Sequence, residues 1–265
     1  MNWRAMAYSS ETRGYLPPVN DAERLCAKRV ADQIHAVQQS GMARTTTFLN
    51  EREQMLAIAQ LNRCAQQNFA FEGGYSAAER KMLCIFETEL PQNAFDITPV
   101  LIAVRGNPSA LTHRDYLGAL MGLQIKREQI GDILPNENGA TVFFTAKMAC
   151  FVCDTLCEIG RFSASATQTS LPKIALSQEN ALITATVSSL RLDALLAAML
   201  KTSRGTAADI IRSKAVMINH VETTDLHSAV YAGDVFSVRG KGKYKLCEIQ
   251  GKSKKDRTFV SYIQY

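Results

Sequence analysis

The last eighty residues constrain the fold more than any other part of this chain. They open on SSLRLDALLAAMLKTSRGTAADIIRSKAVMINH. Leu192, Leu195, Leu196, Met199 and Leu200 recur at helical spacing and make one apolar stripe. Ser188 or Ser189 is placed to cap that helix, and Asp193 sits in its first turn, where a negative charge suits the helix dipole. Ser203 is placed to cap a second short helix, with Ala207, Ile210 and Ile211 inward and Arg204, Arg212 and Lys214 outward. AVMIN then reads as a strand with Val216 and Ile218 inward, and Gly233-Asp234 as a tight turn before another strand. GKGKYKL and GKSKKDR read as basic turns between later strands.

Charge is uneven along the chain. From Thr186 to Tyr265 there are 13 Lys and Arg against 7 Asp and Glu, whereas the first 185 residues carry 17 against 18. The excess positive charge therefore lies at the carboxyl end and implies a polyanionic partner there. The start of the second helix, at Ser203-Arg204, sets backbone N–H groups beside a guanidinium, a natural phosphate cradle. Arg191, Lys201, Arg239, Lys241 and Lys243 are expected to extend the basic surface. Charge alone also fits a merely solvated face; the helix–helix–strand order is what favours RNA, which is read largely through shape, phosphates and 2′-hydroxyls.

The rest of the chain reads as a second, larger region. Residues 1–19 are expected to be a flexible lead-in. Residues 20–41 spell a helix capped by Asn20 or Asp21 and stopped by Gly41, with Leu25, Val30, Ile34 and Val37 inward. A second helix is expected from about Asn50 to Gln66, carrying Met55, Leu56, Ile58 and Leu61. RKMLCIFE, PVLIAVRG, ATVFFTA and LPKIALS read as strands, and THRDYLGALMGLQI and KMACFVCDTLCEIG as helices, the latter running to Gly160. SASATQTS at 163–170 and SQEN at 177–180 read as polar loops. The whole is α+β: a helical plus small α/β sandwich domain over residues 20–180, with two helices on one face of its sheet, then a compact domain over 186–265. No apolar run is long enough to span a bilayer, and the first residues lack a secretory apolar core, so a cytoplasmic protein without a membrane partner is expected.

Several motifs invite chemistry. Arg-Leu-Asp at 191–193 resembles a pseudouridine synthase string, but too few residues follow it for a catalytic domain, so Asp193 reads as a capping and ion-pair residue. Cys150, Cys153 and Cys157 fit one buried helix face better than a metal site, since no second pair has zinc-like spacing, and seven cysteines suit reduced thiols. His113-Arg114-Asp115 resembles a kinase loop but lacks the companion motifs. His113 and Arg114 are instead placed to meet RNA at a helix start, with Lys126 and Arg127 just beyond. Phe71-Glu72-Gly73-Gly74-Tyr75 reads as a turn presenting Tyr75, Glu79 and Arg80. No nucleophile–base constellation stands out, and no enzyme activity, metal or cofactor is expected.

The string RLDALLAAML, the Ser-Arg pair, the Ile-Asn strand end and the Gly-Asp turn resemble, in that order, the S-four-type or αL RNA-binding domain. The resemblance implies RNA contacts at Arg191, Ser203, Arg204, Lys214 and Asn219. Ala215 and His220 stand where that pattern often has glycine, and the second departure is expected to change the turn. FLNEREQ, FEGGYSAAERK and HRDYLGALMGLQIKREQIGDI resemble the YlmH family, over nearly the whole chain from about residue 20. That resemblance implies a monomer that binds ribosomal RNA and tRNA on the large ribosomal subunit carrying stalled peptidyl-tRNA, in ribosome-associated quality control. The alternatives are an RNA-modifying enzyme using His113, Asp115 and Glu79, and a ribosome assembly factor.

Overall fold

The computed structural model describes residues 17–170, 181–252 and 256–265. The expected strand at 171–177, the loop at 177–180 and most of the lead-in lie outside them. The chain gathers into two compact units, Asn20–Ser177 and Gln178–Tyr265.

The first unit starts with α1 (Asp21–Ser40), whose N-cap Asn20 accepts a hydrogen bond from the Glu23 N–H at 2.9 Å. Gly41 ends it in the left-handed conformation, φ 68°, and donates to the Val37 carbonyl at 2.8 Å. Its buried stripe is Ala27, Val30, Ile34 and Val37. Leu25, expected inside, is 47% exposed because it falls beside that stripe. After β1 (Arg44–Thr45), α2 (Glu51–Arg63) begins with a reciprocal cap between Asn50 and Glu53. β2 (Phe69–Glu72) and β3 (Met82–Ile85) complete an antiparallel sheet in the order β1-β3-β2. Arg52 of α2 is buried against Glu23, 2.9 Å away, and so ties α2 to α1.

A five-stranded antiparallel sheet follows. Its elements are β4 (Ile97–Val104), α3 (His113–Gly122), β5 (Ile130–Asn136), β6 (Gly139–Thr145), α4 (Ala146–Thr155), β7 (Glu158–Ile159) and β8 (Phe162–Gln168), in the sheet order β5-β6-β4-β8-β7. Val100, Ile102, Val104, Ala140, Val142 and Phe144 pack under Tyr116 and Leu120 of α3 and Ala149 and Val152 of α4. Both helices thus cover one face, as expected. On the other face Phe143 packs with Phe48 and Met82, which joins this sheet to the three-stranded one.

Three local expectations fail here. SASATQTS is mostly strand β8: Ala166 is buried between exposed Ser165 and Thr167, a period-2 pattern disguised by small side chains. α4 stops at Thr155 rather than Gly160, which instead turns β7 into β8 at φ 58°. Cys157 therefore lies beyond the helix, and Cys150 and Cys157 are exposed with Cys153 half-buried, so the three do not share a buried face.

The second unit holds β9 (Ile183–Val187), α5 (Leu192–Met199), α6 (Arg204–Arg212), β10 (Val216–Ile218), β11 (Val221–Glu222), β12 (Val235–Val238), β13 (Gly242–Lys252) and β14 (Thr258–Gln264). Its antiparallel sheet runs β11-β10-β12-β13-β14-β9. Phe236, Val238, Tyr244, Leu246, Val260 and Tyr262 form one sheet face, packed against Leu192, Leu195, Leu196 and Met199 of α5 and Ala207 and Ile211 of α6. Each such side chain contributes roughly 1.5–3 kcal/mol on burial. α5 begins at Arg191, not at a serine cap. Its first N–H groups are taken by main chain: Leu192 donates to Ser228 O at 3.0 Å and Asp193 to Leu226 O at 3.2 Å. Asn219 (φ 49°) and His220 (φ 66°) form a two-residue hairpin between Ile218 and Val221. Histidine thus holds a left-handed conformation where the motif favours glycine. Among the described residues, no helix is long and apolar enough to cross a membrane.

Candidate nucleic-acid interface

One carboxylate organises the basic face of the second unit. Asp193, in the first turn of α5, is 6% exposed. Its Oδ1 accepts from the Ala194 N–H at 2.9 Å, and its Oδ2 from Arg204 Nη2 at 2.5 Å and Arg191 Nη2 at 3.3 Å. Arg191 Nε lies 3.3 Å from Oδ1, an ionic contact rather than an aligned hydrogen bond. Arg191 Nη2 also meets His227 Nδ1. Burial opposes ionisation of Asp193, but the hydrogen bond and charge of Arg204, the Ala194 N–H and the Arg191 charge outweigh it. Its pKa is held below the usual carboxylate range.

The two arginines remain partly open, with 38% of the Arg191 side chain and 52% of the Arg204 side chain exposed. A shared anchor puts both guanidiniums on one side of the helix pair. Ser203 caps α6 by accepting from the Thr206 N–H at 3.1 Å. Lys201 (φ 50°) and Lys214 (φ 57°) are exposed just past the ends of α5 and α6. Arg212 leans on Asp209 at 3.3 Å, and Lys214 Nζ lies 3.8 Å from Glu222, both in the open. Arg239 and Lys241 are exposed at the β12–β13 turn.

Two expected contacts fall elsewhere. Asn219 is buried, donating to Asp234 Oδ1 at 2.7 Å and accepting from the Val235 N–H at 2.9 Å. Both ends of its amide are spent on holding the hairpin, so it shapes the turn and presents no edge to a ligand. Lys243 alternates with Tyr244, whose ring faces the helices, so Lys243 lies on the opposite face of the sheet. Its ammonium sits 5.2 Å from the Tyr265 ring centroid.

His113 and Arg114 belong to the first unit, exposed in the first turn of α3. Burial, and then the charge of Arg127, disfavour the protonated His113 ring. Asp115, considered for acid–base work, caps α3 by accepting from the Thr112 N–H and hydroxyl, each at 2.7 Å. The turn expected to present Tyr75, Glu79 and Arg80 tucks two of them in. Tyr75 stacks on Phe143 with centroids 5.1 Å apart and donates to Asp132 Oδ2 at 2.8 Å. The Glu79 and Arg80 N–H groups also end on Asp132, at 2.7 and 3.0 Å. Gly73 and Gly131 have no room for a Cβ, which would meet Ala78 Cβ at 2.3 Å and the Phe48 ring at 2.9 Å respectively. Gly73 serves close packing against the 78–81 stretch and Gly131 against Phe48 and Phe143, rather than a nucleotide loop.

Sequence reasoning missed the roles of four residues. Asp193 was read as a cap and ion-pair residue, but not as the shared anchor of two arginines. His227 gave no signal, being distant in sequence from Arg191. Arg80 was read as presented by a turn and Arg127 as lying just beyond the 113–114 helix start, and neither as one of a pair sharing a carbonyl. Among the described residues, no cluster of three or more His, Cys, Asp or Glu is arranged to hold a metal ion.

An α+β chain with this organisation has known relatives. Residues 91–173 match the family described as a putative RNA-binding domain in YlmH. Over 248 residues the chain is 34% identical to the ribosome-associated protein quality control protein P2 of Bacillus subtilis (strain 168), covering 91% of this chain and 94% of that protein. The solved structure of the cell division protein ylmH from Streptococcus pneumoniae is similar in fold, with a TM-score of 0.50 and 19% identity, over 59% of this chain and 96% of that one. The chain belongs to the YlmH family.

Proposed function

We propose that this protein is a non-enzymatic RNA-binding factor of ribosome-associated quality control. It acts in the cytoplasm as a monomer on the large ribosomal subunit and its peptidyl-tRNA. The second unit is its S-four-type RNA-binding domain and the first its YlmH-type domain. The observation that carries this reading is the Arg191–Asp193–Arg204 cluster, which fixes two partly exposed guanidiniums side by side. Such a pair suits adjacent phosphates of folded RNA, read by shape rather than base sequence. Lys201, Ser203, Arg212, Lys214, Arg239 and Lys241 supply further phosphate contacts, with His113 and Arg114 in the other unit.

Neutralising about five phosphates makes affinity fall roughly 500-fold between 50 and 200 mM salt, taking duplex slopes as the guide. Arg204→Ala is expected to weaken binding to isolated large subunits by about 1–3 kcal/mol while the far-UV spectrum stays unchanged. A gel shift against purified particles checks this, and unchanged affinity counts against the reading. Nucleoside mass spectrometry after incubation with ribosomal RNA tests the non-enzymatic half: a new modified base overturns it.

A further inference from the structure

Two guanidiniums of the first unit are held by carbonyls instead of carboxylates. Arg80 Nε and Arg127 Nη1 both donate to the Ile130 carbonyl, at 2.9 and 2.7 Å. Arg80 Nη2 also donates to Phe48 O and Arg127 O, each at 3.1 Å, and Arg127 Nη1 to Gly131 O at 3.2 Å. Arg52 in the same unit shows the usual arrangement, a buried guanidinium against the Glu23 carboxylate. Carbonyl oxygens satisfy the N–H groups but leave the unit charge in place. Burial first, and the neighbouring Arg80 charge second, push the Arg127 pKa down to about 10.

These arginines line a cavity of about 240 Å³ together with Asn50, Glu53, Lys126 and Glu128. Three distant stretches meet there: FLNEREQ brings Asn50 and Glu53, FEGGYSAAERK brings Arg80, and KREQ brings Lys126, Arg127 and Glu128. Glu53 Oε2 is tied to the Asn50 N–H at 2.7 Å, and Glu128 lies 3.8 Å from Arg29. The cavity thus offers cations for an anion, beside carboxylates that accept hydrogen bonds. A ribonucleotide has the matching pattern: phosphate oxygens as acceptors, and ribose hydroxyls or exocyclic amines as donors.

We infer that this cavity is a ribonucleotide site, with Arg127 and Lys126 binding the phosphate, Glu53 and Glu128 facing the sugar or base edge, and Arg80 positioning Arg127. The ribonucleotide is either free or part of an RNA chain. The site stands beside the proposed function, not on it, because it uses none of the helix-pair residues.

The test uses the full chain carrying Arg204→Ala, so that the helix pair contributes little. Inorganic phosphate and AMP are titrated by calorimetry, and a fluorescein-labelled single-stranded decamer of uridine by anisotropy. Lys126→Ala and Arg127→Gln are each expected to weaken AMP or the RNA about tenfold, with inorganic phosphate far weaker than AMP. Lys126 is exposed, so its variant remains informative if Arg127→Gln does not fold. Dependence seen with the RNA alone identifies a chain-embedded nucleotide, and with AMP a free one; either supports the site. If neither probe binds, or if affinities change less than twofold in folded variants, the site is overturned. Phosphate binding as tightly as AMP overturns the ribonucleotide assignment. Loss of ribosome binding in Arg204→Ala with AMP binding intact separates this site from the helix-pair function.

Discussion

The two arginine pairs of this chain are anchored by opposite means. Arg191 and Arg204 lean on one buried carboxylate, so the cluster carries a net single positive charge. Arg80 and Arg127 lean on one carbonyl, and the nearest carboxylates, Glu53 and Asp132, act on the two guanidiniums through charge alone. The carboxylate-held side chains are 38% and 52% exposed, whereas the carbonyl-held pair is half-buried and bonded to main chain at Phe48 and Ile130. Anchoring by a carboxylate trades attraction for order; anchoring by a carbonyl does the reverse. The first suits a surface that aligns phosphates, the second a cavity that draws an anion in.

The largest expected effect breaks the carbonyl-held pair. Arg80→Ala strips the side-chain donor from the carbonyls of Phe48 and Arg127, leaves Arg127 as the side-chain donor to Ile130, and removes a half-buried stem. It should destabilise the first unit by about 3 kcal/mol, read as a lower urea midpoint with unchanged slope. A change below 1 kcal/mol means that the joint does not depend on this side chain.

Asp193→Asn breaks the other pair, with a smaller cost because its partners are half exposed. A loss of about 1–2 kcal/mol at pH 7 is expected. The folded pKa of Asp193 is depressed, so its contribution is complete above the unfolded value of about 3.9 and disappears as pH falls through the folded value. Urea unfolding at pH 7, 5 and 3 should therefore show the difference between wild type and Asp193→Asn constant down to about pH 5, then shrinking. A difference that grows in acid contradicts the anchor.

Lys214→Gly has the smallest effect and sharpens the contrast between stability and binding. Lys214 holds φ 57°, a region that favours glycine, and its contact with Glu222 is exposed. Melting should show a gain of about 0.5–1 kcal/mol, while large-subunit affinity falls by the loss of one cation. An affinity that does not fall shows that Lys214 does not face the RNA.

Much of this was readable before the structure, and the failures share a cause. Helix stripes and caps are local, so Asn20, Gly41 and Ser203 were found as caps and Asn50 as the start of α2. Arg191 and Arg204 were legible as a basic pair because the helix–helix–strand order was. What stayed hidden depends on partners far along the chain. The strand character of 162–168 comes from pairing with β4, which supplies hydrogen bonds that small polar side chains do not advertise. The expected serine cap of α5 was displaced by carbonyls of residues 226–228. The family resemblance marked Asn219 as a contact residue, and only its bonds with Asp234 and Val235 show the amide spent on the turn. Arg80 satisfies three carbonyls from two distant segments, a role no sequence window displays.

The shared anchor at Asp193 has a consequence for selectivity. Immobilising a flexible arm at the moment of association costs about 0.5–1.5 kcal/mol; here two arms are immobilised when the polypeptide folds. The gap between their tips is then a property of the protein, as the gap between caliper jaws is a property of the tool. A surface of that kind measures strand separation and is indifferent to nucleobase identity.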